Sequence, residues 1–430
     1  MQIHVVSPGE SLFTIARTYN IPVSDIIEIN QLENPANLVV GQTLLIPTMG
    51  KFYTVRPGDS LYSISEKFNV PVYLIQRAND YMDPMDLQVG TRIFVPSGPK
   101  PIVDVAAYVD LDITGEDSAS YVEEVGDNLT YVNIFSYKAN ADGSLTPPIG
   151  DEPVINAAYS KRVAPLMVIT NIDEGGFSIE NATALLNDEE AQDRLLDEAI
   201  AIMKEKGYLG IDFDFEYLGA ENRKPYIDFL KKAKKRLKEE DERYTLSVAL
   251  APKISDDQVG ILYEGHDYRE IGKIVDFIFI MTYEWGWSGG PPRAVSPINE
   301  VRRVVEYALS HVPSEKIMMG IPLYGYDWTL PFVEGGKFAK SIGFKDGVEL
   351  ARKYNRQIQF DEESQSPFFR YIDEEGKEHE VWFEDARSLQ AKFDLVKELD
   401  LRGFFYWVLA RAAPQNWELV EDNFIVNKII

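Results

Sequence analysis

The 430-residue chain contains no cysteine, which excludes disulfide frameworks, thiolate metal sites and cysteine nucleophiles together. Histidine is almost as scarce. His4, His266, His311 and His379 are the only four, so a histidine-built metal centre is not expected, and neither a metal nor a cofactor is assigned. The longest apolar runs, Phe277 to Met281 and Phe404 to Ala410, fall far short of the roughly 18 residues a membrane helix needs. Basic residues are outnumbered 43 to 69, for a net charge of −26. Nucleic acids and anionic membrane surfaces would repel such a chain, so neither is expected as a partner. The first residues, Met1-Gln2-Ile3-His4-Val5-Val6-Ser7-Pro8, lack a basic start and an apolar stretch, so no secretory leader is expected.

What is abundant is aromatic: 22 Phe, 23 Tyr and 6 Trp, 12% of the chain, many beside acidic residues. That mixture suits apolar sugar faces and hydroxyls better than phosphates. Sliding the chain against itself shows an internal repeat with an offset of 49 residues. Val6, Pro8, Gly9, Ser11, Leu12, Ile15, Asn30, Pro35, Gly41 and Pro47 are among the residues that recur, without a gap, as Val55, Pro57, Gly58, Ser60, Leu61, Ile64, Asn79, Pro84, Gly90 and Pro96. Each unit reads as strand, turn, capped helix, short second helix and closing strand, the last expected over Val89 to Pro96 in the second copy. The repeat resembles the LysM module over residues 3–47 and 52–96. The resemblance implies binding to N-acetylglucosamine chains of peptidoglycan or chitin, with the Pro8 to Leu12 and Pro57 to Leu61 loops lining the groove beside loops near Asn30 and Asn79.

Ser97-Gly98-Pro99-Lys100-Pro101 marks a domain boundary. Beyond it, strand-like apolar runs alternate with helical stretches: Ile102 to Val109, Leu129 to Phe135, Pro165 to Thr170, Leu209 to Phe215, Thr245 to Ala251, Phe277 to Tyr283, Ile317 to Leu323 and Gly403 to Val408. Eight such runs imply an α/β fold, a (β/α)₈ TIM barrel over residues 102–430. The stretch between the last two runs is too long for a simple connection, so residues 327–384 read as an inserted α+β subdomain. The basic run Lys231 to Arg236 follows a helical stripe of Tyr226, Phe229, Leu230, Ala233 and Leu237, so it reads as a solvated helix face.

The sharpest local pattern is Gly210-Ile211-Asp212-Phe213-Asp214-Phe215-Glu216-Tyr217. In a strand, Ile211, Phe213 and Phe215 share one face and Asp212, Asp214 and Glu216 the other, which places three carboxylates in one row inside the barrel. Like charges crowded in a buried row raise the proton affinity of at least one member. Glu216 comes last, at the C-terminal mouth where barrel active sites lie. A carboxylate-held Mg²⁺ or Ca²⁺ site and a merely solvated strand are the competing readings; general acid and base chemistry on a glycoside is the third.

The row resembles the signature of family 18 glycoside hydrolases, the chitinase-like family, with Leu209 at the position of that signature's first Asp. The resemblance implies that Glu216 is the catalytic acid, supported by Asp214 and Asp212. Met281-Thr282-Tyr283-Glu284 is similar to the strand-six motif, with Glu284 for Asp, and implies that Tyr283 is catalytic. Trp407 is similar to the tryptophan that floors the cleavage subsite. Glu284, Trp285 and Asn171, the last standing where the strand-three glycine motif is missing, are further expected substrate contacts, although Trp285, like Trp287, reads equally as a cleft or a loop-packing ring. The two modules ahead of this domain, with the run from Met281 to Pro297, resemble bacterial spore cortical fragment-lytic enzymes. That implies an N-acetylglucosaminidase of spore cortex peptidoglycan that works by substrate assistance and reaches the cortex or coat region without a leader. A LysM-anchored chitinase and a non-catalytic, lectin-like barrel are the alternatives.

Overall fold

The computed structural model describes residues 1–79 and 87–430. Pro84, the repeat partner of Pro35, lies outside the described residues. Each repeat folds as two short helices packed on a two-stranded antiparallel sheet. The first pairs Gln2–Val5 with Thr43–Ile46 and the second pairs Gly50–Thr54 with Arg92–Pro96. The first helix of each, Leu12–Tyr19 or Leu61–Phe68, starts where Ser11 or Ser60 accepts a hydrogen bond from the backbone of Thr14 or Ser63, whose own hydroxyl answers the cap. Each ends on an asparagine in the left-handed region, Asn20 or Asn69. The second helices are Val23–Asn30 and Val72–Ala78. Asn30 and Asn79 are buried. Asn30 Nδ2 donates to the carbonyls of Ile26 and Leu45 and its Oδ1 accepts from Leu45 N, all at 2.8 Å. Asn79 repeats the pattern on Ile75 and Phe94. The closing strand of the second copy begins at Arg92 rather than Val89, because Gly90 turns the chain at φ +88°.

Eight parallel strands then close a barrel: β1 (Ile102–Asp110), β2 (Tyr131–Ala139), β3 (Ala164–Thr170), β4 (Gly210–Asp214), β5 (Thr245–Leu250), β6 (Phe277–Ile280), β7 (Ile317–Pro322) and β8 (Gly403–Trp407). β8 pairs with β1 and β1 with β2, which completes the ring. Two strand ends differ from the sequence expectation by more than two residues. β2 continues four residues past Phe135, through a register shift between Ile134 and Tyr137. β6 stops at Ile280 instead of Tyr283. The N–H groups of Thr282 and Tyr283 fold back onto the carbonyls of Ile280 and Met281 at 2.8 and 2.9 Å, and Glu284 sits in the left-handed region at φ +67°. Tyr283, Glu284 and Trp285 are thereby released from the sheet into the mouth.

The helix layer follows local rules. Asp188 caps the helix Glu189–Lys206, and Gly207 ends it at φ +86°. In the helix Arg223–Glu240 the stripe from Tyr226 to Leu237 is buried, whereas Lys232 and Lys234 reach Asp193 and Asp276 at 2.6 and 2.5 Å and Arg236 pairs with Asp197. Between β7 and β8 the chain builds a five-stranded antiparallel sheet, ordered Lys340–Ile342, Gly325–Thr329, Glu378–Trp382, Ser366–Ile372, Gln359–Asp361, with the helix Phe344–Lys353. No described helix is long and apolar enough to cross a membrane.

The first module is packed onto this domain. Leu45 joins the core under the barrel helices and Val39 joins that of the inserted subdomain. Gln415 Nε2, near the start of the helix Pro414–Asn423, donates to Asn30 Oδ1 and to the carbonyl of Thr43, both at 2.8 Å. Ile358 N donates to the carbonyl of Val40 at 2.9 Å and Arg352 Nε to that of Asn37 at 2.9 Å. The second module meets the first through Phe52, whose ring lies 5.9 Å from that of Tyr19 with the Arg92 guanidinium 4.1 Å above it.

Candidate active site

The site is built where β4 leaves the sheet. Strand alternation turns Ile211, Phe213 and Phe215 into the core beneath the helices and leaves Asp212 and Asp214 facing the barrel interior, both buried. Asp212 accepts from Tyr108 Oη at 2.5 Å, Ser247 Oγ at 2.8 Å and Asn133 Nδ2 at 3.2 Å. Burial pushes its carboxyl up to about 6, against those three donors, which favour the charged form. Asp214 is held well above the usual carboxylate range, first by burial and then by the charges of Glu216 and Asp212. Its Oδ1 is buried and finds no hydrogen-bond partner among the described residues. Glu216, half-buried, opens onto a cleft, and burial raises its carboxyl to about 7. The row therefore holds protons near neutrality, and its outermost member faces the space where a ligand can sit.

That cleft has a volume of about 520 Å³. Asp214, Glu216, Tyr283, Glu284, Trp285, Trp287 and Trp407 all line it, so seven residues singled out from the sequence converge there. Trp407 forms part of its aromatic wall, edge-on to Phe135 and Tyr108 with ring centroids 5.1 and 5.5 Å away. Tyr283 is buried, and that burial, followed by the charges of Asp214 and Glu216, keeps its phenol protonated and able to donate. Glu284 accepts from the hydroxyls of Tyr324 and, at 2.9 Å, Tyr326, two residues contributed by the chain entering the inserted subdomain. Burial raises its carboxyl, and the two tyrosines oppose the rise. Leu209, at the position of the missing first acid, packs partly buried against the barrel interior.

One expected substrate contact is corrected. Asn171 is 1% exposed and does not line the cleft. Its carboxamide is engaged by the backbone: Nδ2 donates to the carbonyls of Glu216 and Ser178 at 2.9 and 3.0 Å, and Oδ1 accepts from Glu216 N at 2.9 Å.

Sequence reasoning missed Tyr108, Asn133 and Ser247. The signal was present, since each is the polar or aromatic inward residue of a strand whose neighbours Val109, Val132 and Val248 face the helices. Tyr324, Tyr326 and His266 carried no such signal, because their partners are a turn residue and backbone groups distant in sequence.

Residues 175–412 match the family described as glycosyl hydrolases family 18, and residues 4–47 and 53–96 each match the LysM domain. The chain is 51% identical over 433 residues to the cortical fragment-lytic enzyme of Bacillus subtilis, spanning 100% of this chain and 99% of that one. Two solved structures are similar over nearly their whole length. The spore cortex-lytic enzyme SleL of Bacillus megaterium has a TM-score of 0.88 at 45% identity, covering 100% of this chain and 99% of that one. SleL of Bacillus cereus has a TM-score of 0.91 at 42% identity, covering 99% and 98%.

Proposed function

The chain belongs to the glycosyl hydrolases family 18 and carries two LysM domains, and from that premise we propose that it is an N-acetylglucosaminidase of spore cortex peptidoglycan. The observation that carries the reading is the row Asp212, Asp214, Glu216, in which burial keeps the outermost carboxyl protonated at the edge of an aromatic cleft. The names of the near relatives supply the cortex. Glu216 donates its proton to the leaving glycosidic oxygen. The C2 acetamido oxygen of the substrate attacks the anomeric carbon as that bond breaks, which gives a cyclic oxazolinium ion and makes a protein nucleophile unnecessary. Asp214, whose Oδ1 has no partner among the described residues, accepts the acetamido N–H. Tyr283, held as a phenol, donates to the acetamido carbonyl oxygen. Trp407 presents an apolar face to the sugar ring. Glu216, now a carboxylate, takes a proton from the incoming water and the anomeric configuration is retained. The LysM domains hold the enzyme to N-acetylglucosamine-containing glycan, and it acts at the spore.

Three measurements test this. With cortex fragments as substrate, Glu216→Gln should lower the release of reducing N-acetylglucosamine ends at least about 10³-fold, because the proton donor is removed. Unchanged release overturns the assignment of the acid, and hydrolysis of chitin oligomers with none of cortex fragments overturns the substrate. Activity should also fall as pH rises through about 7, since the acid must carry its proton. The stability consequence has the same direction. A carboxyl whose proton affinity is raised by folding stabilises the fold while protonated and loses that contribution as pH rises from about 4.5 through about 7. Glu216→Gln should therefore melt above the parent protein at pH 8 and level with it at pH 4.

A further inference from the structure

β4 ends before the residue it must present. Its ladder with β3 stops at Asp214 opposite Thr170, and its ladder with β5 stops at Phe213 opposite Val248. Tyr217, immediately after Glu216, lies in the left-handed region at φ +55°, so the chain turns away at once. Glu216 thus sits on backbone that no strand holds, at the point where a proton donor must be fixed to within a fraction of an ångström.

Two side chains replace the missing rungs. Asn171 is the residue after Thr170, the last partner of β4 on that side. Its carboxamide bonds both the N–H and the C=O of Glu216, each at 2.9 Å, the two groups that a longer β3 would have bonded through two successive peptide groups. The second Nδ2 proton goes to the carbonyl of Ser178 at 3.0 Å, which fixes the orientation of the amide. On the other side His266 accepts from Ala251 N at Nδ1, at 3.0 Å, and its Nε2 lies 2.9 Å from the carbonyl of Phe215. That pattern requires a neutral ring with its proton on Nε2, and burial keeps the ring neutral by lowering its affinity to about 4. Three consecutive backbone groups around the acid are held by side chains: the Phe215 carbonyl and both polar groups of Glu216.

We infer that Asn171, seconded by His266, is a positioning residue for the general acid, acting as an artificial strand rung that sets where the Glu216 carboxyl points. The inference rests on Glu216 being that acid. Asparagine is required for a chemical reason. Aspartate has the same shape but no donor, so it would face two carbonyl oxygens with negative charge and add that charge beside Glu216.

The test uses the full chain with soluble cortex fragments. Asn171→Ala should lower kcat about 10- to 100-fold with KM changed less than about 2-fold, and should displace the alkaline limb of the pH profile, because the carboxyl moves relative to Asp214. Asn171→Asp should cut kcat further and move that limb to higher pH. Asn171→Ser, which keeps one hydroxyl to bond one of the two groups, should lie between the parent and Asn171→Ala and serves if the alanine protein does not fold. A purely structural role predicts a lower melting temperature with the pH limb and the kcat of the folded fraction unmoved; that result overturns the inference. An active Glu216→Gln would instead remove the reading beneath it, so the two failures are distinguishable.

Discussion

The two LysM domains share their caps, their left-handed helix ends and the buried asparagine that ties helix to strand, yet they stand in different surroundings. Gly41 and Gly90 occupy the same place in the repeat and nearly the same conformation, at φ +85° and +88°. A Cβ on Gly41 would lie 1.9 Å from the carbonyl oxygen of Ile358, in the inserted subdomain, whereas one on Gly90 would have no described atom within 4 Å. Asn30 forms its three internal bonds and in addition accepts from Gln415 in the catalytic domain. The same local code thus builds a docked copy and a copy whose matching turn is open. Duplication leaves the fold of each unit intact while surface residues far away in sequence decide which unit becomes part of the enzyme body. The first domain is consequently in direct contact with the barrel domain that carries the cleft.

The largest expected effect separates the two glycines. Alanine at either carries the cost of a left-handed residue, about 1 kcal/mol. At Gly41 the methyl group also meets a backbone carbonyl that cannot swing aside, so Gly41→Ala should destabilise by about 2–4 kcal/mol, or part the first domain from the subdomain, where Gly90→Ala costs about 1 kcal/mol. Urea unfolding of the two variants, followed by tryptophan fluorescence and by near-ultraviolet dichroism, measures the difference. Equal midpoints would mean that the contact at Ile358 contributes nothing and that the copies are energetically alike.

The same contrast shows what a sequence discloses. The repeat, the alternation of Asp212, Asp214 and Glu216 and the eight-strand rhythm are local periodicities, so each was legible from the residues themselves. The docking of one copy was not, because Gly41 and Gly90 are the same letter and the discriminating partners, Ile358 and Gln415, lie more than 300 residues away. Asn171 was misread for a related reason. Its partners are main-chain groups, which every residue possesses, so nothing in the side-chain pattern of β4 announces that a carboxamide just beyond β3 completes the ladder. The early end of β6 has the same character, since the turn at Thr282 and Tyr283 is made by backbone bonds. Side-chain chemistry that faces a ligand is written in residue types. Side-chain chemistry that stands in for backbone is not, and it appears only once the ladders and their ends are known.

The smallest effect probes the docking alone. Gln415→Ala removes the two donors' bonds to Asn30 Oδ1 and to the carbonyl of Thr43, and the hydrogen bond from Thr43 Oγ1 at 3.2 Å. A buried carbonyl left unpaired costs about 1–2 kcal/mol. The loss falls on the interface, because Asn30 retains its bonds to Ile26 and Leu45 and the first domain keeps its own core. Hydrogen exchange should therefore quicken in Val23–Asn30 and in the start of Pro414–Asn423, and stay at its parental rate in Val72–Ala78 of the second domain. Turnover of short soluble fragments should not change, since Gln415 does not line the cleft. Faster exchange in both domains would show that the second copy depends on the docking of the first, and the asymmetry between them would then be one of contact but not of stability.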